Sequence, residues 1–98
     1  MNTKAKKLFK KQAQVLKALG HEARLMIVHR LHKSEASAGE LTKLVGLDQT
    51  TVSKHLAVLR AYGIVESRRE GNTAIYTLLT PCVVDFFSCA SGVLKERK

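Results

Sequence analysis

A short run, Asp48-Gln49-Thr50-Thr51-Val52-Ser53-Lys54-His55-Leu56-Ala57-Val58-Leu59-Arg60, crowds hydrogen-bonding side chains into its first half. Gln49, Thr50, Thr51, Ser53 and Lys54 bring an amide, hydroxyls and an ammonium into the opening turns of what reads as a helix. Such groups suit the edges of base pairs. A glutamine amide matches adenine on two atoms, hydroxyls serve a base or a phosphate, and an ammonium suits guanine or phosphate. Val52, Leu56 and Leu59 recur at helical spacing with Val58 beside them, so the same run has an apolar back. Asp48 stands where a carboxylate would accept from a free first-turn N–H. The expectation is a helix that rests on a core and offers its N-terminal front to the major groove of DNA. His55 lies beside the apolar line, where a packing or capping role outweighs contact with a base.

A second set of reactive groups is Cys82 and Cys89. Seven residues along one helix separate them by about 10.5 Å, whereas a disulfide needs Cα atoms within roughly 7 Å. Both sulfurs also cannot ligate one ion at about 2.3 Å across that distance. Antiparallel pairing of two such helices would instead bring Cys82 of one chain toward Cys89 of the other. Two readings follow: thiols that sense a soft metal, a metalloid, an oxidant or a reactive sulfur species, or small buried hydrophobes. No cofactor is required for the fold, and a soft metal or metalloid is the inducer class the thiols would suit. His29 and His32 stand three residues apart, but no acid or thiol lies within sequence reach, so a solvated helix face is expected there. A phosphate loop, a Gly-x-Ser-x-Gly elbow and a convincing Cys–His pairing are all missing, which argues against an enzyme.

The elements that would position these groups can be read in order. Residues 3 to 19 form a first helix, with Leu8, Phe9, Gln12, Val15, Leu16 and Leu19 on one stripe, lysines elsewhere, and Gly20 as its terminator. A second helix runs from about Glu22 to His32, burying Ala23, Met26, Ile27, Val28 and Leu31. Lys33 to Ser37 is a polar loop. A short third helix spans Ala38 to Val45, and Gly46-Leu47-Asp48 turns tightly into the polar-fronted helix. Helix, glycine-containing turn, helix is the helix-turn-helix pattern, whose second helix reads the groove.

After Tyr62-Gly63 the period becomes strand-like. Ile64 to Arg68 and Thr73 to Leu78 are β-rich runs joined by Arg69-Glu70-Gly71-Asn72, a hairpin signal. Placed directly after a helix-turn-helix, this ribbon is a wing, with Arg68, Arg69 and Asn72 near its tip for phosphates or the minor groove. Thr80 and Pro81 fit the N-cap and first position of a final helix. Val83, Val84, Phe86, Phe87, Ala90, Val93 and Leu94 cover more than one of its faces, so the first and last helices are expected to form a dimer interface. Lys95-Glu96-Arg97-Lys98 reads as a fraying tail. The fold class expected is mostly α with a small hairpin, a winged helix-turn-helix in a single domain over residues 1–98.

Bulk properties agree. Hydrophobic content of 45% is that of an ordinary globular chain, and a net charge of +9 on 98 residues points to a polyanionic partner. No stretch approaches the roughly 20 apolar residues of a membrane span, and the lysines of Met1 to Lys11 precede no apolar signal core. A cytoplasmic protein with free thiols is expected.

Several segments, in order and spacing, resemble the ArsR/SmtB-type winged-helix repressors. They are Leu19-Gly20-His21-Glu22-Ala23-Arg24-Leu25-Met26-Ile27-Val28, Gly39-Glu40-Leu41, Leu47 to Leu59, Gly63-Ile64-Val65 and Ile75-Tyr76-Thr77-Leu78. The resemblance covers roughly residues 15 to 80. It implies a five-helix, two-strand homodimer that represses an operon and releases its DNA operator when an inducer binds. It also implies DNA reading by Gln49, Thr50, Ser53, Lys54 and the wing arginines. Two of that family's sensor sites do not carry over. A Cys-x-Cys pair after Glu-Leu in the third helix is replaced by Thr42 and Leu44. The last helix holds Asp85 and Glu96 but no histidine for a zinc site. Against this reading stand a winged helix used for protein contact, and a DNA-binding regulator that senses nothing and whose cysteines are structural.

Overall fold

The computed structural model describes residues 1–96; Arg97 and Lys98 of the basic tail lie outside the described residues. The elements in order are α1 (Thr3–Leu19), α2 (Glu22–Lys33), β1 (Ala36–Ser37), α3 (Ala38–Val45), α4 (Gln49–Ala61), β2 (Val65–Glu70), β3 (Thr73–Leu78) and α5 (Val83–Glu96). The expected winged helix-turn-helix is present.

Ile27 and Val28 of α2, Leu41 of α3, Val52, Leu56 and Leu59 of α4, and Ile64 and Val65 at the entry to β2 are almost wholly inaccessible. Together they form the centre of one apolar cluster, with Val45, Val58, Tyr76, Leu78 and Phe87 packed against it. Each such side chain contributes about 1.5–3 kcal/mol by leaving water. Among the described residues no polar or charged side chain is buried in this cluster. The polar-fronted helix α4 is therefore held by three apolar anchors on its back, as its spacing requires.

Local signals set the element ends. Asn2 caps α1, its Oδ1 accepting from the Ala5 N–H at 2.8 Å. Ser37 and Glu40 form a reciprocal capping box at the start of α3, each side chain accepting from the other's backbone N–H at 3.1 Å. These contacts hold the Glu40 carboxyl below its ordinary range, the Ser37 backbone N–H being the largest cause. Gly46 ends α3 at φ +77°, a left-handed conformation that frees the chain to reverse into α4.

The structure departs from the sequence reading at several points. Ala36 and Ser37, expected in a loop, form the edge strand β1, paired with Tyr76 and Ile75 of β3. A two-residue strand is too short to show a period of two, which is why the pattern gives no sign of it. The sheet thus has three strands in the order β1-β3-β2, one more than the family resemblance implies. β2 also extends through Glu70, so Arg69 and Glu70 belong to the strand, and the turn shrinks to Gly71-Asn72. Gly71 alone takes positive φ, at +62°, as the first central residue of a II′-type turn requires. Gly20 ends α1 at φ −81°, outside the left-handed region.

Two expected caps are not made. Asp48 occupies the N-cap position of α4, but its side chain accepts no capping hydrogen bond. The residue is exposed, so water can satisfy both its carboxylate and the first-turn N–H groups. Thr80 does not cap α5 with its hydroxyl, whose Oγ1 is buried without a partner. Instead, its carbonyl accepts from the Val83 N–H at 3.0 Å, and the Pro81 and Cys82 carbonyls accept from Val84 and Asp85. These bonds span three residues, so Pro81 and Cys82 make a tight turn and α5 proper begins at Val83.

Candidate nucleic-acid interface

Three rows of side chains run along α4. Val52, Leu56 and Leu59 are buried; Thr51, His55 and Val58 are half-buried flanks; Gln49, Thr50, Ser53, Lys54, Ala57 and Arg60 are exposed. From Thr50 the exposed row follows helical spacing, which puts Ser53, Lys54, Ala57 and Arg60 on one face. The structure thus brings Gln49, Thr50, Ser53 and Lys54 together on an open front and moves Thr51 to its edge. Arg60 shares that front and was missed by a reading confined to the first two turns. The same helical spacing, continued for two more turns, finds it.

His55 is turned inward along the flank. Its Nδ1 accepts from Arg24 Nε at 3.1 Å, and Arg24 Nη1 also donates to the Ala18 carbonyl at 3.2 Å. The His55 ring lies 4.3 Å from that of His21, tilted by 45°. His21 in turn caps α2, its Nδ1 accepting from the Ala23 N–H at 3.0 Å. One arginine therefore ties the recognition helix to the start of α2 and the end of α1. An Nδ1 that accepts must be unprotonated. Burial, and secondarily the charges of His21 and Arg24, push the His55 pKa below its ordinary value.

The wing carries Arg68, Arg69 and Asn72, all exposed. Adjacent strand residues point to opposite faces, so the two arginines do not act as a pair. Arg68 is engaged: its Nη1 and Nη2 donate to Glu35 at 2.7 and 2.8 Å, and Nη2 approaches Glu70 at 3.5 Å. This contact holds the Glu35 carboxyl below its usual range and raises the Arg68 pKa. Arg69 has no ion pair among the described residues.

Comparison with known proteins gives this arrangement its family. Residues 19–68, spanning α2 through the middle of β2, match the family model described as a helix-turn-helix domain. Over 88 residues the chain is 39% identical to Rv0081, an uncharacterised HTH-type transcriptional regulator of Mycobacterium tuberculosis, covering 89% of this chain and 77% of that one. The homodimeric winged helix-turn-helix DNA-binding domain Mb0332 of Mycobacterium bovis, a possible ArsR-family regulator, superposes with a TM-score of 0.81 at 30% identity, over 99% of this chain and 90% of that one. The transcriptional repressor BigR of Xylella fastidiosa superposes with a TM-score of 0.78 at 35% identity, over 95% of this chain and 96% of that one. The chain belongs to the ArsR/SmtB-type winged helix-turn-helix transcriptional regulators.

Cys82 and Cys89 of this ArsR/SmtB-type chain are both exposed and both free thiols. The view of them as buried hydrophobes therefore does not hold within one chain. Cys82 lies in the turn ahead of α5 and Cys89 within the helix, so only one of the two is a helical residue. His29 and His32 are both exposed, as a solvated helix face would have them, and the His29 ring stacks on Phe87 of α5 at 4.3 Å and 25°. Among the described residues no group of three or more His, Cys, Asp or Glu side chains is placed to hold a metal ion. No helix among them is long and apolar enough to cross a membrane.

Proposed function

We propose that the protein is a homodimeric, sequence-specific DNA-binding repressor whose α4 enters the major groove while the wing meets the flanking backbone. The observation that carries this reading is the open polar row on α4 above a sealed apolar back. Gln49, Thr50, Ser53 and Lys54 are the base and phosphate contacts, with Thr51 at the edge of the row and Arg60 beyond it. Arg69 and Asn72 serve the wing. Family membership and the net charge of +9 support a duplex as the partner.

Dimerisation through α1 and α5 is supported by what one chain leaves uncovered. Leu8, Phe9 and Leu16 of α1 are 55%, 54% and 51% exposed, and Phe86, Val93 and Leu94 of α5 are 59%, 58% and 68% exposed. A groove of about 410 Å³ lined by Gln12, Val15, Leu16, Leu19, Val83 and Phe86 runs between the two helices. Water-exposed apolar area on this scale, most of it gathered on two helices that share a groove, fits a second copy of the chain. The homodimeric assembly of Mb0332 supports the same view. Release by an inducer is assigned to the exposed thiols: Cys82 and Cys89 would take a soft metal, a metalloid or a thiol-reactive species. Operator release by arsenite, cadmium or a persulfide donor should then be lost in Cys82→Ser/Cys89→Ser; unchanged release in that variant would remove the thiols from the mechanism.

The DNA reading is tested with a duplex selected by the protein from a random-sequence pool. Binding should weaken steeply with salt, and Lys54→Ala should lower affinity by about 1–3 kcal/mol without lowering the melting temperature. A winged helix devoted to protein contact would select no duplex and would show no such slope.

A further inference from the structure

Arg68 looks by composition like one more phosphate ligand, but its guanidinium is already spent. Ser37 of β1 pairs with Ile75 of β3, and Ile75 pairs with Arg68 of β2, so the three lie in one row across the sheet. With strands about 4.8 Å apart, β2 runs roughly 10 Å from β1. An arginine side chain and a glutamate side chain together cover that span. Glu35 directly precedes β1, and both its oxygens accept from Arg68, at 2.7 and 2.8 Å. The paired, parallel geometry fixes orientation as well as distance.

This contact links the outer strand of the wing to the segment joining α2 and α3. β1 is only two residues long and pairs only with Tyr76 and Ile75, so beyond that row the wing runs to its tip as two strands. A ribbon of two strands is intrinsically easy to bend and twist. A side-chain strut across β3 limits that freedom. Arg69, the next residue, points to the opposite face of the ribbon and is left without an acidic partner among the described residues.

We propose that Arg68 is a positioning residue: with Glu35 it sets the angle of the wing, so that Arg69 and Asn72 meet the DNA backbone. The inference rests on the reading that α4 and the wing bind duplex DNA. It reassigns Arg68 from ligand to strut and gives Glu35, an acid beside a DNA-binding element, a reason to be there. A simple phosphate ligand would be opposed by Glu35, which competes for the same guanidinium and repels the same phosphates.

The test measures affinity for the pool-selected duplex as a function of potassium chloride, using the full chain. Arg68→Ala and Glu35→Gln should each weaken binding by about two- to fivefold, the scale of a well-formed surface ion pair. Neither should change the salt slope, whereas Arg69→Ala should reduce it by about one phosphate. The exchanged pair Glu35→Arg/Arg68→Glu keeps the net charge and the strut, and should return affinity to within about twofold of the wild type. Three results would overturn the proposal: a slope lowered by about one in Arg68→Ala, tighter binding by Glu35→Gln, or no recovery in a folded exchanged pair. If instead Lys54→Ala and Arg69→Ala leave affinity untouched, the DNA face itself is misassigned, a failure distinct from that of the strut.

Discussion

Helix α4 and the terminal helix α5 both carry apolar residues at helical spacing and treat them in opposite ways. On α4, Val52, Leu56 and Leu59 are fully enclosed, and what remains exposed is polar or small. On α5, Val83 is buried while Phe86, Val93 and Leu94 stay more than half exposed. The apolar back of α4 is covered within one chain, as the proposed reading of DNA by its front requires. α5 and most of α1 are incomplete, as elements that wait for a second copy are. The proposed reading surface and the proposed assembly surface are thus separated in the fold, and substitutions of the same chemical kind should have opposite consequences in the two places.

The sharpest way to break the comparison is to remove apolar bulk from each helix. Leu56→Ala leaves a cavity in a closed core and should cost about 2–5 kcal/mol of unfolding free energy, read by urea denaturation. Phe86→Asp on α5 should leave the far-ultraviolet circular dichroism of the helices in place. It should raise the dimer dissociation constant by about tenfold or more in analytical ultracentrifugation, since each copy loses an aromatic contact worth about 1.5–3 kcal/mol. Similar unfolding by both variants, with no change in assembly, would dissolve the distinction.

A smaller effect is expected at the turn that aims α4. Gly46 sits at φ +77° with open space around the position of a Cβ, so Gly46→Ala meets no clash, only backbone strain. The cost should be about 1–2 kcal/mol in a denaturant titration. A neutral result would show that the reversal between α3 and α4 does not depend on a left-handed residue.

The weakest effect concerns the inward flank of α4. His55 has a pKa below its ordinary 6.5, so the folded chain binds fewer protons there than the unfolded one. Stability from this group is therefore present in full above about pH 6.5 and is lost as the pH falls below it. The groups facing it are His21, Arg24 and, through Arg24, the Ala18 carbonyl. Thermal midpoints should fall between pH 7 and pH 5.5 in the wild type, and fall less in His55→Phe. Equal slopes for the two proteins would place the pH dependence elsewhere.

Much of this was legible from residue order because periodicity reports packing directly. The five helices and the wing follow from the spacing of Leu8 through Leu19, Ile27 and Val28, Leu41 with Leu44 and Val45, Val52 through Leu59, and Val83 through Leu94, and from the β-rich run Thr73 to Leu78. What was illegible depends on contacts between segments far apart in sequence. β1 exists because Ala36 and Ser37 reach β3, some forty residues on. Arg68 is engaged because Glu35 lies across the sheet, and no local pattern joins the two. His55 faces Arg24 for the same reason. Capping signals were mixed: Ser37 and Glu40 spell out a capping box in plain sequence, while Asp48 and Thr80 have the right residue type and make no side-chain cap. A cap residue competes with water and with its own carbonyl, and composition alone does not show which prevails.

The most direct measurement is a backbone amide shift map of the isotope-labelled chain as the pool-selected duplex is added. Large shifts should gather on the exposed row from Gln49 to Arg60 and at Arg69 to Asn72, with α5 changing little. Shifts centred on α5, or spread evenly with the α4 front unmoved, would contradict the assignment of α4 as the DNA-reading helix.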